Sequence, residues 1–570
     1  MRTPFDDSHL MTRARDGMAR MQALDLSKYN LHHADAPHPG YVLVVDQTRG
    51  DASIAHAGAG PHSFAEMLAA AEDENPGARI VIKTHPETTL GLRPGHFGPE
   101  ALRGRISFCR DPVSPWALLS GAVAVYTVSS QLGFEAILSG HRPKVFGKPF
   151  YAGWGLSDDR NPVPRRGRAL SRAQLFAGAM ILAPTWYDPC RDRLCCFEEA
   201  VDQMEAEVRT FREDRAGYLA HGMRAWKRGR LQEVFGAHKP MVFQDKPEGL
   251  AAKAFKTGRG VLVWAGKETA NLAESALVRR VEDGFLRSRG LGAELVPPLS
   301  LVMDDLGIYY DPNRESRLER LIVAPLPPGG RVRAEKLLRA VVKARVTKYN
   351  LGAAALPEMG ANGRSLRRVL VVGQVEDDAS IRLGTGTVST NLSLLTVAAN
   401  AHPGAEIIYK PHPDVEAGLR PGAIAPEDLQ NLASVVASHA DPLTLIEACD
   451  EVWTMTSLLG FEALLRGKPV VCLGAPFYAG WGLTRDLGPV PDRRRRAPDG
   501  HPLPRPDLIH LVHAVLISYP RYFDPVSRRP CPPEVVVDRL AHGPLPARSL
   551  CLRLLAKLQG TFASYAHLWR

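Results

Sequence analysis

Short apolar runs alternate with longer amphipathic stretches along most of this chain. Residues 272–279 look helical, and residues 306–310 predict a short strand. Strands that alternate with helices favour parallel sheets covered by helices on both faces. The pattern therefore predicts two α/β lobes in the second half, a front lobe at 231–346 and a back lobe at 347–570. Their clearest strands are the apolar runs at residues 259–264, 369–373, 406–410, 451–454 and 470–473.

The first half contains only one such lobe. Its predicted strands are at residues 42–46, 80–83, 123–127 and 144–147. No counterpart of the front lobe precedes them, because the chain begins with a short basic helix at 13–24. We therefore expect residues 1–230 to form a first module that lacks its front lobe, through true loss or through a misplaced start codon.

The two halves repeat one another at a long period. Residues 126–156 and 453–483 are identical at 18 of 31 positions, at an offset of 327 residues. A period of this length indicates two copies of a whole folding unit and not a solenoid of short repeats. Because polar residues recur with the apolar ones, the repeat indicates a preserved site as well as a core. The same offset pairs Asp51 with Asp378, His85 with His412, and Glu135 with Glu462.

Composition narrows the class of protein. A chain of 570 residues is too long for one core, and its 45% hydrophobic and 23% charged fractions are those of a soluble globular protein. The net charge of +10 attracts an anionic partner, such as a nucleic acid, a nucleotide or an acidic lipid headgroup. We set nucleic acid aside, because the sequence carries no motif of a known nucleic-acid-binding module.

Membrane-spanning segments are not predicted from the sequence. No run of 18 apolar residues occurs, and the longest candidate, residues 115–128, is too short. The first ten residues have no apolar core like that of a signal peptide. We therefore expect the chain to reside in the cytoplasm.

Two aspartates stand just after the first strand of a lobe. Asp51 occurs in DQTRGDASI and Asp378 in GQVEDDASI. Open parallel sheets bind ligands beyond the carboxyl ends of their strands, where a carboxylate can be a nucleophile, a base or an electrostatic stabiliser. The alternative is an aspartate that only caps the next helix. Its repetition in both copies favours a function.

A second repeated motif, K-x-H-P, stands at the end of another strand. It comprises Lys83 and His85 in the first copy and Lys410 and His412 in the second. Lysine and histidine side chains at a strand terminus are natural phosphate contacts. A lone histidine is usually structural, so the argument for a site rests on the duplication.

A third motif begins a helix with a serine and places a glutamate one turn later. Ser130 precedes Glu135, and Ser457 precedes Glu462. Hydroxyl and N–H groups at a helix start can hold a phosphate, and the glutamate can accept hydrogen bonds from ribose. The alternative is a plain N-cap. The aromatic loops at 150–156 and 477–483 could line a sugar pocket or pack the lobes together.

This set of motifs resembles the bacterial capsule polysaccharide β-Kdo transferases of the KpsC/LipA type. The resemblance covers nearly the whole chain and rests on RVEDGFLRSRGLG, PPLSLVMDDLGIYYD, SKYNL, DQTRGDASI, HP, SSQLGFEA and PFYAGWGL. It implies tandem GT-B-like modules of parallel-sheet, Rossmann-type lobes. It also implies CMP-Kdo as the donor and a lyso-phosphatidylglycerol-linked Kdo acceptor, on which β-linked Kdo builds the capsule linker.

The resemblance also implies roles for the repeated residues, through a double displacement with net retention. It makes the aspartate of D-A-S-I the nucleophile and assigns the histidine to the CMP phosphate and the serine and glutamate to cytidine. Glu282 and Asp283 would face the cleft, with Glu282 as the acid/base. No metal or other cofactor is implied. The residues carried over are Asp51, Lys83, His85, Ser130 and Glu135 in the first copy and Asp378, Lys410, His412, Ser457 and Glu462 in the second.

The sequence departs from the family pattern in its first module. That module has no counterpart of Glu282 and Asp283, so we expect it to be inactive or badly impaired. A non-catalytic role in capsule assembly or export, with the export machinery as a partner, is the alternative to an enzyme.

The C-terminal residues 548–570 combine leucines at helical spacing with positive charge. One interpretation is a helix that packs back on the module. The other is a helix that lies in the headgroup region of the anionic inner membrane, which would give a cytoplasmic enzyme a peripheral location beside a lipid-linked acceptor.

Overall fold

The computed structural model describes residues 4–273, 278–290, 295–350, 367–497 and 499–545. The chain forms two compact units. Unit 1 comprises Met1–Asp188, Asp192–Arg212 and Pro327–Gly329. Unit 2 comprises Pro189–Arg191, Glu213–Leu326 and Gly330–Arg570.

Unit 1 is built on one six-stranded parallel sheet. The strands lie in the order β3-β2-β1-β4-β5-β6. Every residue of the central strand β1 is buried, as expected for a parallel sheet covered on both faces. The strands are β1 (Tyr41–Val45), β2 (Arg79–Lys83), β3 (Ile106–Cys109), β4 (Ala122–Thr127), β5 (Lys144–Val145) and β6 (Asp158–Asp159).

Helices cover this sheet, and a short antiparallel hairpin follows it. The hairpin consists of β7 (Trp186–Asp188) and β8 (Arg193–Cys195). The last two residues of the final helix, α8, already belong to unit 2. The helices are α1 (Ser8–Ala23), α2 (Ala52–His56), α3 (Pro61–Glu74), α4 (Pro86–Thr89), α5 (Pro115–Gly121), α6 (Gln131–Leu138), α7 (Arg172–Phe176) and α8 (Phe197–Asp214).

Unit 2 begins with the front lobe. Its strands are β9 (Tyr218–His221), β10 (Val242–Phe243), β11 (Gly260–Trp264), β12 (Val278–Asp283) and β13 (Ser300–Asp304). Four of these strands run parallel, and β13 pairs with β12 in the antiparallel direction. Its helices are α9 (Ala225–Phe235), α10 (Leu250–Thr257), α11 (Ala270–Ala273), α12 (Arg317–Val323) and α13 (Gly330–Lys343).

The back lobe of unit 2 repeats the sheet of unit 1. Its strands are β14 (Arg368–Val372), β15 (Glu406–Lys410), β16 (Val435–Val436), β17 (Glu451–Thr454), β18 (Val470–Cys472) and β19 (Arg485–Asp486). They are parallel, in the order β16-β15-β14-β17-β18-β19. Its helices are α14 (Ala379–Gly384), α15 (Asn391–Ala401), α16 (Pro413–Glu416), α17 (Pro426–Leu432), α18 (Pro442–Ala448), α19 (Leu458–Leu464) and α20 (Leu508–Val512).

After the back lobe the chain returns to the front-lobe sheet. Strand β20 (Pro520–Asp524) pairs antiparallel with β13, and β21 (Arg529–Cys531) pairs with β20 before α21 (Pro533–Ala541). Two buried polar contacts support this return. Tyr519 Oη donates to Asp304 Oδ2 at 2.8 Å, and Arg521 Nη2 lies 2.7 Å from Asp214 Oδ2. One hydrophobic core therefore includes Val302 of the front lobe and Leu370 of the back lobe.

The predicted fold class is confirmed by these sheets, and two element predictions are wrong. Residues 272–279 contain the end of α11 and the start of β12, and residues 306–310 form turns. The unit boundary lies at Glu213 and not near 230, because β9 joins the front-lobe sheet. The predicted C-terminal helix at 548–570 lies outside the described residues. Among the helices that the structure describes, none has both the length and the apolar character needed to cross a membrane.

The start of α19 depends on a glycine. A Cβ atom at Gly460 would lie 2.2 Å from Tyr478 Oη, and that hydroxyl donates to the Ser457 carbonyl. We expect Gly460→Ala to lower the free energy of unfolding of unit 2 by about 1–3 kcal/mol, because the overpacked tyrosine must move. Urea unfolding followed by circular dichroism measures this change.

The matched control is Gly229→Ala in α9, where an added Cβ would meet no atom within 4 Å. This substitution should stabilise the protein by about 0.5–1 kcal/mol, since alanine favours a helix. Equal effects of the two substitutions would contradict the role given to Gly460.

Candidate active site

A cleft of about 910 Å³ is lined by both lobes of unit 2. The carboxyl ends of β12, β14, β15 and β17 lead into it, which is where open parallel sheets bind ligands. All seven residues that the sequence singled out in this half line the cleft, although their roles stay predictions. They are Glu282, Asp283, Asp378, Lys410, His412, Ser457 and Glu462.

Asp378 both caps a helix and lies open to the cleft. Its Oδ1 accepts hydrogen bonds from the backbone N–H and the hydroxyl of Ser380, each at 2.9 Å, at the start of α14. The cap that was the alternative prediction is therefore present. The residue is also exposed and belongs to the cleft wall, so capping leaves the carboxylate accessible to a ligand.

His412 begins α16 at the end of β15. Its Nδ1 accepts a hydrogen bond from the Asp414 N–H at 3.1 Å, which in a neutral ring leaves the proton on Nε2. Burial lowers the pKa of His412, and this favours the neutral ring. Lys410 is less available than the sequence predicted, because its Nζ lies 3.2 Å from Glu416 Oε1.

Glu462 is a buried carboxylate with one unused oxygen. It is 5% exposed, and its Oε1 accepts a hydrogen bond from the Lys348 backbone N–H at 3.1 Å. Its Oε2 has no hydrogen-bond partner among the described residues. Burial raises the pKa of Glu462 to about 7. Ser457, at the start of the same helix, accepts from the Leu459 N–H at 3.2 Å and is an N-cap.

The aromatic loop after β18 mostly packs the protein together. Tyr478 and Trp481 are buried, and Trp481 Nε1 donates to the Phe477 carbonyl at 2.8 Å. Phe477 reaches the cleft and contacts Phe285 of the front lobe, with ring centroids 4.9 Å apart. Tyr478 and Trp481 thus make packing contacts within the back lobe, and Phe477 is the residue of this loop that packs against the front lobe.

The acidic pair lies at the end of β12. Asp283 is held by Arg287 Nε at 2.7 Å and by Lys227 Nζ at 3.5 Å. The Asp283 N–H donates to Glu282 Oε1 at 3.0 Å. Burial, and then the neighbouring Asp283 charge, raise the pKa of Glu282 to about 7, although Lys227 opposes the rise. Glu282 can therefore exchange a proton near neutral pH.

Tyr309 and Tyr310 mark where the acidic pair faces the back lobe. Burial raises the pKa of both hydroxyls well above the ordinary value, and the charges of Glu282 and Asp378 raise it further. Both tyrosines line the same cleft as Glu282 and Asp378. The cleft brings the predicted nucleophile and the predicted acid/base together.

Unit 1 carries the first copy of the predicted residues on matching elements. Asp51 caps α2 through the Ser53 N–H at 2.9 Å, and His85 caps α4 through the Glu87 N–H at 3.2 Å. Ser130 caps α6 through the Leu132 N–H at 3.3 Å. Lys83 Nζ, at the end of β2, donates to the Asp111 carbonyl at 2.7 Å.

Glu135 repeats the environment of Glu462 within unit 1. It is 4% exposed, its Oε1 has no partner among the described residues, and burial raises its pKa to about 7. The described residues of unit 1 include no strand that corresponds to β12 with its acidic pair. Unit 1 therefore repeats the back-lobe side of the site.

Sequence reasoning missed two lysines of this site. Lys348 lines the cleft, and its repetition as Lys28 within K-Y-N could have identified it. Lys227 lies before residue 230, so the predicted boundary assigned it to the first module. The described residues contain no cluster of histidine, cysteine and acidic side chains suited to a metal ion.

Comparison with known proteins identifies the family. A family model described as capsule polysaccharide biosynthesis protein matches residues 10–184, 265–354 and 331–522. The capsule polysaccharide modification protein LipA of Neisseria meningitidis serogroup B is 39% identical over 542 residues, which are 92% of this chain and 75% of LipA. The chain belongs to the capsule polysaccharide biosynthesis protein family.

Further relatives of this capsule biosynthesis protein cover less of it. The lipopolysaccharide-processing protein LpsZ of Rhizobium meliloti is 40% identical and covers 55% of the chain and 66% of LpsZ. The β-Kdo 2,7 transferase of Thermosulfurimonas dismutans KpsC is 31% identical, with a TM-score of 0.46, and covers 57% of this chain and 98% of that one. The corresponding β-Kdo 2,4 transferase is 34% identical, with a TM-score of 0.48, covering 56% and 97%.

The raised pKa of Glu462 predicts a dependence of stability on pH. A carboxyl group whose pKa is higher in the folded protein stabilises the fold below its unfolded pKa, near 4.5, and loses that contribution as the pH rises through about 7. Glu462→Gln removes this loss. We therefore expect the variant to gain about 1–3 kcal/mol relative to wild type between pH 5 and pH 8.

Urea unfolding of both proteins at the two pH values measures this difference. The exposed Glu427→Gln is the control and should show no change with pH. A pH-independent difference between Glu462→Gln and wild type would mean that Glu462 is ionised in the folded protein throughout this range.

Proposed function

We propose that unit 2 is a retaining glycosyltransferase that moves Kdo, a keto-sugar acid, from CMP-Kdo to a lipid-linked acceptor during capsule biosynthesis. The observation that carries this proposal is the presence of Asp378 and Glu282 in one cleft with the unused oxygen of Glu462. Family membership supports a role in capsule synthesis. Retention needs one carboxylate to attack and a second group to manage the proton.

The back-lobe side of the cleft suits a cytidine nucleotide. His412 Nε2 carries a proton that can be donated to the CMP phosphate, and Arg420 and Lys348 add positive charge to the same cleft. Glu462 Oε2 can accept a hydrogen bond from ribose or from the cytosine amine. Without such a ligand, this buried oxygen has no partner among the described residues.

The reaction follows from the two carboxylates. An oxygen of Asp378 attacks the anomeric carbon of Kdo, and the bond to the phosphate oxygen breaks, so that CMP leaves with the electron pair. The acceptor hydroxyl then attacks the same carbon from the opposite face. Glu282 takes the hydroxyl proton as the bond to Asp378 breaks. Two inversions at one carbon give net retention.

The acceptor and the location belong to the same proposal. A lyso-phosphatidylglycerol-type lipid that carries Kdo would have to reach the cleft from the inner membrane surface. The net charge of +10 favours an anionic surface, and the basic residues of 548–570 are the proposed contact. We therefore place the protein in the cytoplasm, on the inner membrane.

Unit 1 favours a second, non-catalytic role. It keeps Asp51, His85 and Glu135 in local environments like those of unit 2, yet its described residues include no counterpart of Glu282. We propose that unit 1 binds a cytidine nucleotide or an assembly partner, such as the capsule export machinery.

We expect Asp378→Asn to abolish Kdo transfer while CMP binding stays within about 3-fold of wild type, because the substitution removes the attacking oxygen and keeps the phosphate contacts. Mass spectrometry after incubation with CMP-Kdo should detect Kdo bound to the Asp378 peptide of the wild-type protein. Release of CMP measures turnover.

Glu427→Gln, on the exposed surface of α17, is the control with unchanged turnover. Full turnover by Asp378→Asn would contradict the assignment of Asp378 as the nucleophile. Residual transfer that disappears in the double variant with Asp51→Asn would show that unit 1 is also an active transferase.

The membrane proposal predicts salt-sensitive binding to phosphatidylglycerol vesicles. Replacing Arg548, Arg553 and Lys557 by glutamine should weaken this binding, because each basic residue near an anionic surface contributes about 1 kcal/mol. Vesicle co-sedimentation at low and high salt measures the effect, and phosphatidylcholine vesicles are the control. Equal binding to both lipids, or no loss in the triple variant, would show that these charges do not contact the membrane.

A further inference from the structure

Asp283 is fixed by two cations from different elements. Arg287, four residues after it, reaches Oδ2 at 2.7 Å with a side chain that is 1% exposed. Lys227, from α9, reaches Oδ1 at 3.5 Å with a side chain that is 12% exposed. Each carboxylate oxygen therefore has its own positive partner in a place with little solvent. A carboxylate bound in this way is poorly suited to attack a substrate or to accept a proton.

Lys227 is itself held in place by an aromatic ring. Its ammonium nitrogen lies 3.3 Å from the ring centroid of Trp264, the last residue of β11. A cation over an indole face is attracted by the ring, most strongly where water is scarce. This contact fixes the lysine between Trp264 and Asp283.

The contacts of Asp283 with Arg287 and Lys227 also affect Glu282. The Asp283 N–H donates to Glu282 Oε1 at 3.0 Å, so the orientation of one acidic residue is tied to the other. A lasting negative charge on Asp283 disfavours a second charge beside it. The charged groups that act on Glu282 are Asp283, Lys227 and Lys348, and Tyr309 and Tyr310 lie beside it. Arg287 acts on Asp283.

We propose that Lys227 is a positioning residue which, with Arg287, fixes Asp283 as a charged neighbour of Glu282, and that only Glu282 exchanges a proton with the substrate. The proposal rests on the function proposed for unit 2 and goes further by separating the roles of two adjacent acids. Asp283 sets the protonation of Glu282 and does not react. Lys227 sets the position of Asp283.

The direction of the pKa shifts agrees with this division. Burial would raise the pKa of Asp283, but Arg287 and then Lys227 bring it below its ordinary value. Burial and the Asp283 charge raise the pKa of Glu282 to about 7. Removing Lys227 takes away a positive charge beside the acidic pair, so Glu282 should lose its proton at a higher pH. Removing the Asp283 charge should have the opposite effect.

The test measures how kcat depends on pH in two variants. We expect them to shift the rise of kcat with pH in opposite directions. In Lys227→Met, the rise of kcat with pH should move up by about 1 pH unit, with kcat about 5-fold lower at pH 7. In Asp283→Asn, the rise should move down by about 1 unit, and kcat at high pH should stay within about 3-fold of wild type. In both, the KM for CMP-Kdo should change less than kcat.

Two variants serve as controls. Lys227→Arg keeps the positive charge, so its profile should lie closer to that of wild type than the profile of Lys227→Met does. Lys253→Met removes an exposed lysine of the same lobe and should leave the profile unchanged. A wild-type profile for Lys227→Met, or an Asp283→Asn variant as inactive as Glu282→Gln at every pH, would overturn the proposal.

A measurement without substrate separates this proposal from the proposed function. Carbon-13 NMR of the protein labelled at glutamate and aspartate carboxyl groups should show Glu282 titrating near pH 7, assigned by its absence in Glu282→Gln. Asp283, assigned in Asp283→Asn, should stay ionised down to pH 5.

These titrations do not need CMP-Kdo, so they remain informative if the protein transfers another sugar. They also do not need Lys227→Met, so they remain informative if that variant fails to fold. An Asp283 that titrates between pH 5 and 8 would overturn the proposal even if Kdo transfer is confirmed.

Discussion

The antiparallel pairing of β13 with β20 is the constraint on which the cleft of unit 2 depends. Strand β20 follows the back lobe in the chain but pairs with the front-lobe sheet, next to the strand that neighbours β12. The buried contacts of Arg521 with Asp214 and of Tyr519 with Asp304 hold it there. Because β12 carries Glu282 and the back lobe carries Asp378, this pairing joins the two lobes whose carboxylates line the cleft.

Burial of carboxyl groups is the main electrostatic feature of the site. Glu462 and Glu282 both have a pKa raised to about 7, and burial is the largest cause in each case. The surroundings of these two carboxyl groups differ. Glu462 keeps an oxygen without a partner, which suits ligand binding, whereas Glu282 lies beside a permanently paired acid, which suits proton exchange. Burial thus produces the same shift in two carboxyl groups of one cleft whose hydrogen-bond partners differ.

The repeat made much of the site predictable from the sequence. Constant spacing identified Asp378, His412 and Glu462, because a duplicated unit keeps the residues that follow its strands. The parallel sheets were also predictable, because their strands are buried on both faces and are therefore continuously apolar. The same burial stabilises them. Hydrophobic pattern and repetition together therefore located one wall of the cleft.

The rest depends on contacts that no local pattern encodes. No sequence pattern joins Lys227 to Asp283, because the two are brought together by the packing of α9 against the front-lobe sheet. The short strand β9 lies before the predicted boundary at 230, and only its pairing with β11 assigns it to the front lobe. The ion pair of Lys410 with Glu416 likewise depends on the turn between the two residues. Because of this pair, Lys410 is less available to contact a phosphate than the sequence predicts.

The hydrogen bond from the Lys348 backbone to Glu462 joins the segment between the two lobes of unit 2 to helix α19 of the back lobe. Lys348 lies in the segment that leaves α13 for the back lobe, so it belongs to the connection between the two lobes. Glu462 lies at the ligand end of the back lobe. Any group that protonates Glu462 or bonds to it changes how strongly it holds that N–H. A ligand that bonds to Glu462 would therefore act, through this one hydrogen bond, on the segment that connects the two lobes.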